Sequence, residues 1–313
     1  MDQRTETVAG TVAANGLTFA YLESGPPDGP LALCLHGFPD SAHTWRYLLP
    51  ELGQAGYHAV APFLRGYAPT DVPADGLYQV GALARDANTL HEVLGGDGDA
   101  VIIGHDWGAL ATYAAVAHRP ERWRRAVTAA VAPTASVMAS FFTYAQLRRS
   151  WYTFFFQSPL AELAVPMDDF VFIDRLWADW SPGYNAAFDL ARVKESIGDP
   201  EHIAAAIGYY RALYDSDRHS PDLAPEQAAA ILPTPIPTLY LHGRNDGCFG
   251  LEAIGNPLAF LAEGSEMVVV EGAGHFLNVE QPDVVNRHIL EFIGPSRVSP
   301  SRWARPGRPT ACG

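Results

Sequence analysis

The apolar run Ala100-Val101-Ile102-Ile103 leads straight into Gly104-His105-Asp106-Trp107-Gly108, and alanine-rich sequence follows. A short β-branched run reads as a buried strand, and residues 108–118 read as a helix. Small–x–acid–x–small between them suits a strand that turns sharply into a helix and holds one side chain out at the apex. The feature therefore implies a sheet with helices packed on it. It also sets a chemistry, because the apex residue is aspartate. A carboxyl group ordinarily ionises at about pH 3.9, so it can attack an electrophilic carbon without a base to activate it. The product is an alkyl ester of the protein. Aspartate is also a common helix cap, and residues further along the chain decide between the two readings.

The strand–helix pattern recurs. Residues 7–13 and 17–23 flank Asn15-Gly16, which suits a type I′ hairpin turn. Parallel strands are predicted at 31–35, 58–63, 100–103, 125–131, 237–241 and 266–270, with helices at 45–54, 80–94, 108–118 and 283–292. Such alternation builds βαβ units and a mostly parallel sheet. It stops between residues 134 and 230, which read as helical, are punctuated by prolines, and concentrate Phe, Tyr and Trp. That density suits a helical unit that packs on the sheet domain and lines an apolar pocket. The expected division is a core over 1–133 and 231–294, a helical insertion over 134–230, and a basic, proline-rich tail over 295–313.

A chain of 313 residues with 48% hydrophobic content and a net charge of −14 has ample material for such a core. Its acidity excludes nucleic acid as a partner, because phosphate binding needs clustered Lys and Arg. No apolar run reaches the ~18 residues of a membrane span, and the first residues lack the layout of a signal peptide. Cys34, Cys248 and Cys312 lack CxxC spacing, which argues against a zinc site or a disulfide framework and for a cytoplasmic location. No metal or cofactor is expected, and monomer and homodimer both remain open. The tail, with Arg297, Arg302, Arg305 and Arg308, is expected to be a mobile end or a strap along the acidic body.

Turnover of an ester on Asp106 needs a base to deprotonate water, a second carboxylate to orient that base, and donors for the oxyanion. Two downstream positions fit. Asp246 follows the strand at 237–241, and His275 follows the strand at 266–270 among glycines. Both stand where loops leave the carboxyl ends of strands, the edge at which open α/β sheets bind ligands. The oxyanion donors are expected to be the backbone amides of Trp107 and of Phe38 in His36-Gly37-Phe38-Pro39. His36 is read as a structural residue of that turn.

These pieces together resemble the epoxide hydrolases of the α/β-hydrolase superfamily. The resemblance rests on His36-Gly37-Phe38-Pro39, Gly104-His105-Asp106-Trp107-Gly108, Asp246 in its loop, and Gly274-His275-Phe276 followed by Glu280-Gln281-Pro282. It runs from about residue 7 to 293 and implies an α/β-hydrolase fold, a mostly parallel sheet flanked by helices with an inserted helical cap. The family supplies two cap tyrosines that protonate the leaving alkoxide. The matches are Tyr152 in Ser150-Trp151-Tyr152-Thr153-Phe154-Phe155-Phe156-Gln157 and Tyr210 in Gly208-Tyr209-Tyr210-Arg211, with Tyr209 as the alternative register. The implied reaction converts an apolar epoxide, aryl epoxides among the candidates, and water into a vicinal diol. Phe38, Trp107, Trp151, Phe155 and Phe276 are the expected pocket residues.

Two rival readings share most of these residues. A haloalkane dehalogenase would use the same nucleophile but bind halide through Trp107 and a second donor, for which Trp151, Trp177 and Trp180 are candidates. A non-catalytic binder of apolar ligands would keep the pocket alone, but it gains nothing from a base and an orienting acid. Fluoroacetate dehalogenases carry arginine directly after the nucleophile and again three residues later, where this chain has Trp107 and Leu110.

Overall fold

The computed structural model describes residues 6–296 except Ala139. The expected basic tail lies outside the described residues from position 297 onward, as does Cys312. The strands are β1 (Val8–Ala14), β2 (Leu17–Ser24), β3 (Leu31–Leu35), β4 (His58–Pro62), β5 (Val101–His105), β6 (Arg125–Ala129), β7 (Thr238–Gly243) and β8 (Glu266–Val270). They form one sheet in the order β1-β2-β4-β3-β5-β6-β7-β8. β1 pairs antiparallel with β2, and β2 with β4; every later pairing is parallel. At the β1–β2 turn Asn15 and Gly16 both adopt positive φ, 48° and 79°, as a type I′ turn requires. Residues of β3, β4 and β5 are all buried, which explains why they read as unbroken apolar runs.

The flanking helices are α1 (Leu48–Gln54), α2 (Val80–Val93) and α3 (Trp107–His118). α3 packs on β5 and α2, and its buried alanines let the helix lie close to the sheet. α1 begins three residues later than expected, and Ala42–Trp45 forms a separate 3₁₀ turn. Pro50 accounts for this: proline is accepted in a first helical turn but not in the interior where a start at Trp45 would place it. β6 ends earlier than expected because Ala130 takes a positive φ of 67°.

Between β6 and β7 the chain is helical: α4 (Thr134–Val137), α5 (Tyr144–Arg149), α6 (Trp151–Phe155), α7 (Ala161–Ala164), α8 (Met167–Trp180), α9 (Ala187–Ile197), α10 (Pro200–Tyr214) and α11 (Ala224–Ala229). The last of these returns to the sheet layer and lies on α2 and α3. α8 is interrupted near its start, where Asp168, Asp169 and Phe170 have φ of 52°, 54° and 63°. After β8 follow α12 (Leu277–Glu280) and α13 (Pro282–Ile293). Among the described residues no helix is long and apolar enough to cross a membrane.

Candidate active site

Asp106 stands between β5 and α3 with φ 53° and ψ −115°, a backbone state that L-residues adopt only under constraint. The constraint comes from the sheet. Its N–H donates to the Ala129 carbonyl of β6 at 3.2 Å. A Cβ on Gly108 would overlap the Leu35 carbonyl of β3, and one on Gly104 would overlap the backbone of Gly108. The two small residues of the turn are therefore required by close approach. Gly37 is required for a different reason, since a Cβ there would overlap the Asp106 carboxylate.

That carboxylate has two distinct oxygens. Oδ1 accepts the Phe38 N–H at 2.7 Å. Oδ2 faces His275 Nε2 at 3.7 Å. The Phe38–Pro39 bond is cis and the Trp107 amide heads α3, directly after Asp106. His36 donates from Nδ1 to the Gly37 carbonyl at 2.9 Å and accepts the Leu64 N–H on Nε2 at 3.0 Å. Both ring nitrogens are thus committed to backbone, and burial pushes its pKa down to about 4.

His275 donates from Nδ1 to Asp246 Oδ2 at 2.9 Å, and Asp246 Oδ1 accepts the N–H groups of Cys248 and Phe249 at 2.7 and 2.8 Å. Burial opposes the charged form of each partner. For His275 the Asp246 and Asp106 carboxylates outweigh it and hold the imidazole up at about 10. For Asp246 the His275 charge outweighs burial and holds the carboxyl below its usual range. Among the described residues His275 Nε2 has no hydrogen-bond partner, which leaves it open toward Asp106. The loops bearing these residues are fastened to the helical segment. The Trp180 carbonyl at the end of α8 accepts both the Gly247 N–H, at 3.1 Å, and the His275 N–H, at 3.0 Å.

Tyr152 on α6 and Tyr210 on α10 meet with ring centroids 5.5 Å apart. The Tyr210 ring packs edge-on against Phe38 at 5.2 Å and Trp107 at 5.1 Å, the two residues that flank Asp106. Its hydroxyl is buried without a hydrogen-bond partner. Burial, reinforced by the Asp106 charge, pushes this phenol well above its ordinary range, with the Trp107 indole acting against the shift. Tyr152 is also pushed up, by burial first and then by Cys248, Tyr210 and Asp106. The Tyr209 ring also packs on Trp107, at 5.3 Å, but its hydroxyl faces elsewhere. Its hydroxyl donates to the Arg65 carbonyl at 2.8 Å and its ring stacks on Tyr78.

The expected pocket residues separate into two groups. Phe38, Trp107 and Phe276 are buried around Asp106 and His275. Trp151 and Phe155 instead pack on Phe172, one layer out, and Trp151 is 47% exposed. Trp151 lines an outer cavity of about 410 Å³, between α5 and the end of α8. It turns outward because it precedes Tyr152 on α6, and adjacent helical positions face different directions.

A family model described as the alpha/beta hydrolase fold matches residues 30–282. Epoxide hydrolase 1 of Caenorhabditis elegans is 30% identical over 282 residues, covering 87% of this chain and 67% of its own. Epoxide hydrolase 3 of Mus musculus is 31% identical over 292 residues, covering 90% of this chain and 75% of its own. The chain belongs to the epoxide hydrolases of the α/β-hydrolase superfamily. The crystal structure of epoxide hydrolase A from Mycobacterium thermoresistibile matches this epoxide hydrolase with a TM-score of 0.77 at 25% identity, covering 92% of this chain and 98% of that one. The fold and family implied by the motifs therefore hold.

This epoxide hydrolase brings further groups to the site that sequence reasoning gave no part in epoxide opening, Trp180 having been named only as a candidate halide donor. Phe156 is buried between Phe38, Tyr152 and Tyr210, and the Trp180 ring lies on both His275 and Tyr152. His105 donates from Nε2 to the His275 carbonyl at 2.9 Å, while its Nδ1 lies 3.9 Å from Asp40 Oδ2. Burial pushes the Asp40 carboxyl well up and the His105 imidazole down to about 4. His105 was visible in the turn motif; the others come from packing and carry no local pattern. Asp246, Cys248 and His275 place a carboxylate oxygen, a thiol and an imidazole nitrogen within 4.8 Å of one another. The acid and the imidazole are already hydrogen-bonded to each other, so this trio is accounted for by the orienting pair and its neighbour.

Proposed function

We propose that this enzyme hydrolyses an apolar epoxide to a vicinal diol through an ester on Asp106, with the helical segment of residues 134–230 acting as a cap over the site. Tyr152 and Tyr210 hold the epoxide oxygen while Asp106 attacks a ring carbon from the opposite side. The carbon–oxygen bond breaks, and the developing alkoxide takes a phenolic proton. His275, oriented by Asp246, then deprotonates water that attacks the ester carbonyl. The amides of Phe38 and Trp107 stabilise the tetrahedral oxyanion.

The observation that carries this reading is the pair of buried phenols packed together, Tyr210 lying against the two residues that flank Asp106 and its hydroxyl making no hydrogen bond among the described residues. Phenols suit an alkoxide, which leaves only with a proton; a halide needs none. The dehalogenase reading is further weakened at two of its candidate donors. The Trp177 indole N–H donates to the Pro39 carbonyl at 2.8 Å, and Trp151 points outward. The buried rings around Asp106 support an apolar substrate.

The reaction is tested with styrene oxide, trans-stilbene oxide, a terminal alkyl epoxide and a bromoalkane, scored for diol and halide. Diol from the epoxides without halide release supports the proposal. Halide release as the faster activity would hand the site to the dehalogenase reading.

A further inference from the structure

The two phenols differ in one respect that the proposed reaction does not use. Among the described residues the Tyr210 hydroxyl, beside the Trp107 indole, makes no hydrogen bond, whereas the Tyr152 hydroxyl lies 3.4 Å from Cys248 Sγ. Cys248 is buried in the loop that carries the orienting acid. Its position is fixed from both sides. Its N–H donates to Asp246 Oδ1 at 2.7 Å, and its carbonyl accepts from Gln146 Nε2 of α5 at 2.9 Å. Gln146 Oε1 in turn accepts the Gly250 N–H at 3.1 Å. The sulfur is therefore held against Tyr152 by a clamp between loop and helix.

A contact between a thiol and a phenol can run in either direction, and the direction matters here. If the phenol donates to sulfur, its proton points away from the substrate. If the thiol donates, the phenolic proton is free to reach the epoxide oxygen. Burial, then the Asp246 and Asp106 charges, push the thiol well above its usual range against an opposing effect of the Tyr152 contact, so at neutral pH the sulfur carries a proton that it can donate.

We propose that Cys248 is a positioning residue for Tyr152: its S–H donates to the phenolic oxygen, aims the O–H at the substrate and stabilises the phenolate left behind. The proposal rests on the reading of Tyr152 as a proton donor. In the ring-opening step the Asp106 oxygen bonds to carbon, the carbon–oxygen bond gives its electron pair to oxygen, and that oxygen takes the Tyr152 proton. The phenolate keeps the S–H hydrogen bond. When His275 later takes a proton from water and the hydroxyl reaches the ester, that proton restores the tyrosine, so epoxide and water balance diol.

Single turnovers with styrene oxide, followed by tryptophan fluorescence in rapid mixing, separate ester formation from ester hydrolysis. Cys248→Ala should slow formation about 3- to 10-fold, the scale of one neutral hydrogen bond, and leave hydrolysis unchanged. Cys248→Ser, which keeps a donor, should restore most of the rate. In a Tyr152→Phe background Cys248→Ala should add no further loss. Equal slowing of both steps would assign Cys248 to the Asp246 loop and overturn the proposal. So would an unchanged formation rate, failure of serine to rescue, or an undiminished effect in the Tyr152→Phe background. Wild-type ester formation by Tyr152→Phe itself would instead overturn the role of Tyr152, and Cys248 with it.

Discussion

His275 lies between two carboxylates, and the first step of the proposed reaction would remove one of them as a charge. Alkylation of Asp106 neutralises it, so the imidazole then answers mainly to Asp246 and releases its proton more readily. The base thus becomes available when the ester exists to be hydrolysed. At falling pH the ester should accumulate, because its formation does not need neutral imidazole while its hydrolysis does; acid-quench mass spectrometry reads the adduct. His275→Ala should trap the same adduct at neutral pH, and absence of any adduct with a reactive aryl epoxide would count against Asp106. The raised folded-state pKa also bears on stability. With an ordinary value of 6.5 and a folded value of about 10, the contribution is complete below pH 6.5 and is lost as pH rises through 10. Thermal melts should show the parent losing stability across that window, with the loss reduced in His275→Gln.

At the scale of elements, the left-handed stretch at the start of α8 stands out. Three consecutive L-residues there adopt positive φ, at a cost of about 1–2 kcal/mol each. Phe170 is buried and anchors the stretch, while Asp168 is exposed. Asp168→Gly is expected to stabilise the protein by about 0.5 kcal/mol or somewhat more, the relieved strain being partly offset by the freer unfolded chain. Asp168→Val should destabilise it, and denaturant melts distinguish the two. Nothing in Met167-Asp168-Asp169-Phe170 announces this conformation, because it is imposed by packing. The same divide runs through the site. Asp106, Asp246 and His275 were legible because each follows a strand whose apolar run is local in sequence. Tyr152 and Tyr210 were legible only through resemblance to a family. Cys248 and Phe156 were not legible, and Trp180 only as a candidate halide donor, since their contacts depend on how helices remote in sequence settle on the sheet. Trp151 stands one layer out from Asp106, since an aromatic cluster on a helix does not reveal which ring faces inward.

For the whole molecule, sheet and helical segment are joined at several buried points. Arg65 pairs with Asp86 of α2 through two hydrogen bonds at 2.6 and 2.7 Å, and its carbonyl receives the Tyr209 hydroxyl of α10. The Trp180 carbonyl has the widest consequence, because one oxygen holds the loops of both Asp246 and His275. An outward swing of the α8 end would uncouple the acid from the imidazole, so any opening for substrate is expected to begin at the opposite end, around α7 and the left-handed turn. Amide exchange should report this as a gradient: the Gly247 and His275 amides protected to near-global unfolding, those of residues 161–170 exchanging through smaller openings. Equal protection along the whole segment would mean that substrate enters without any part of it moving.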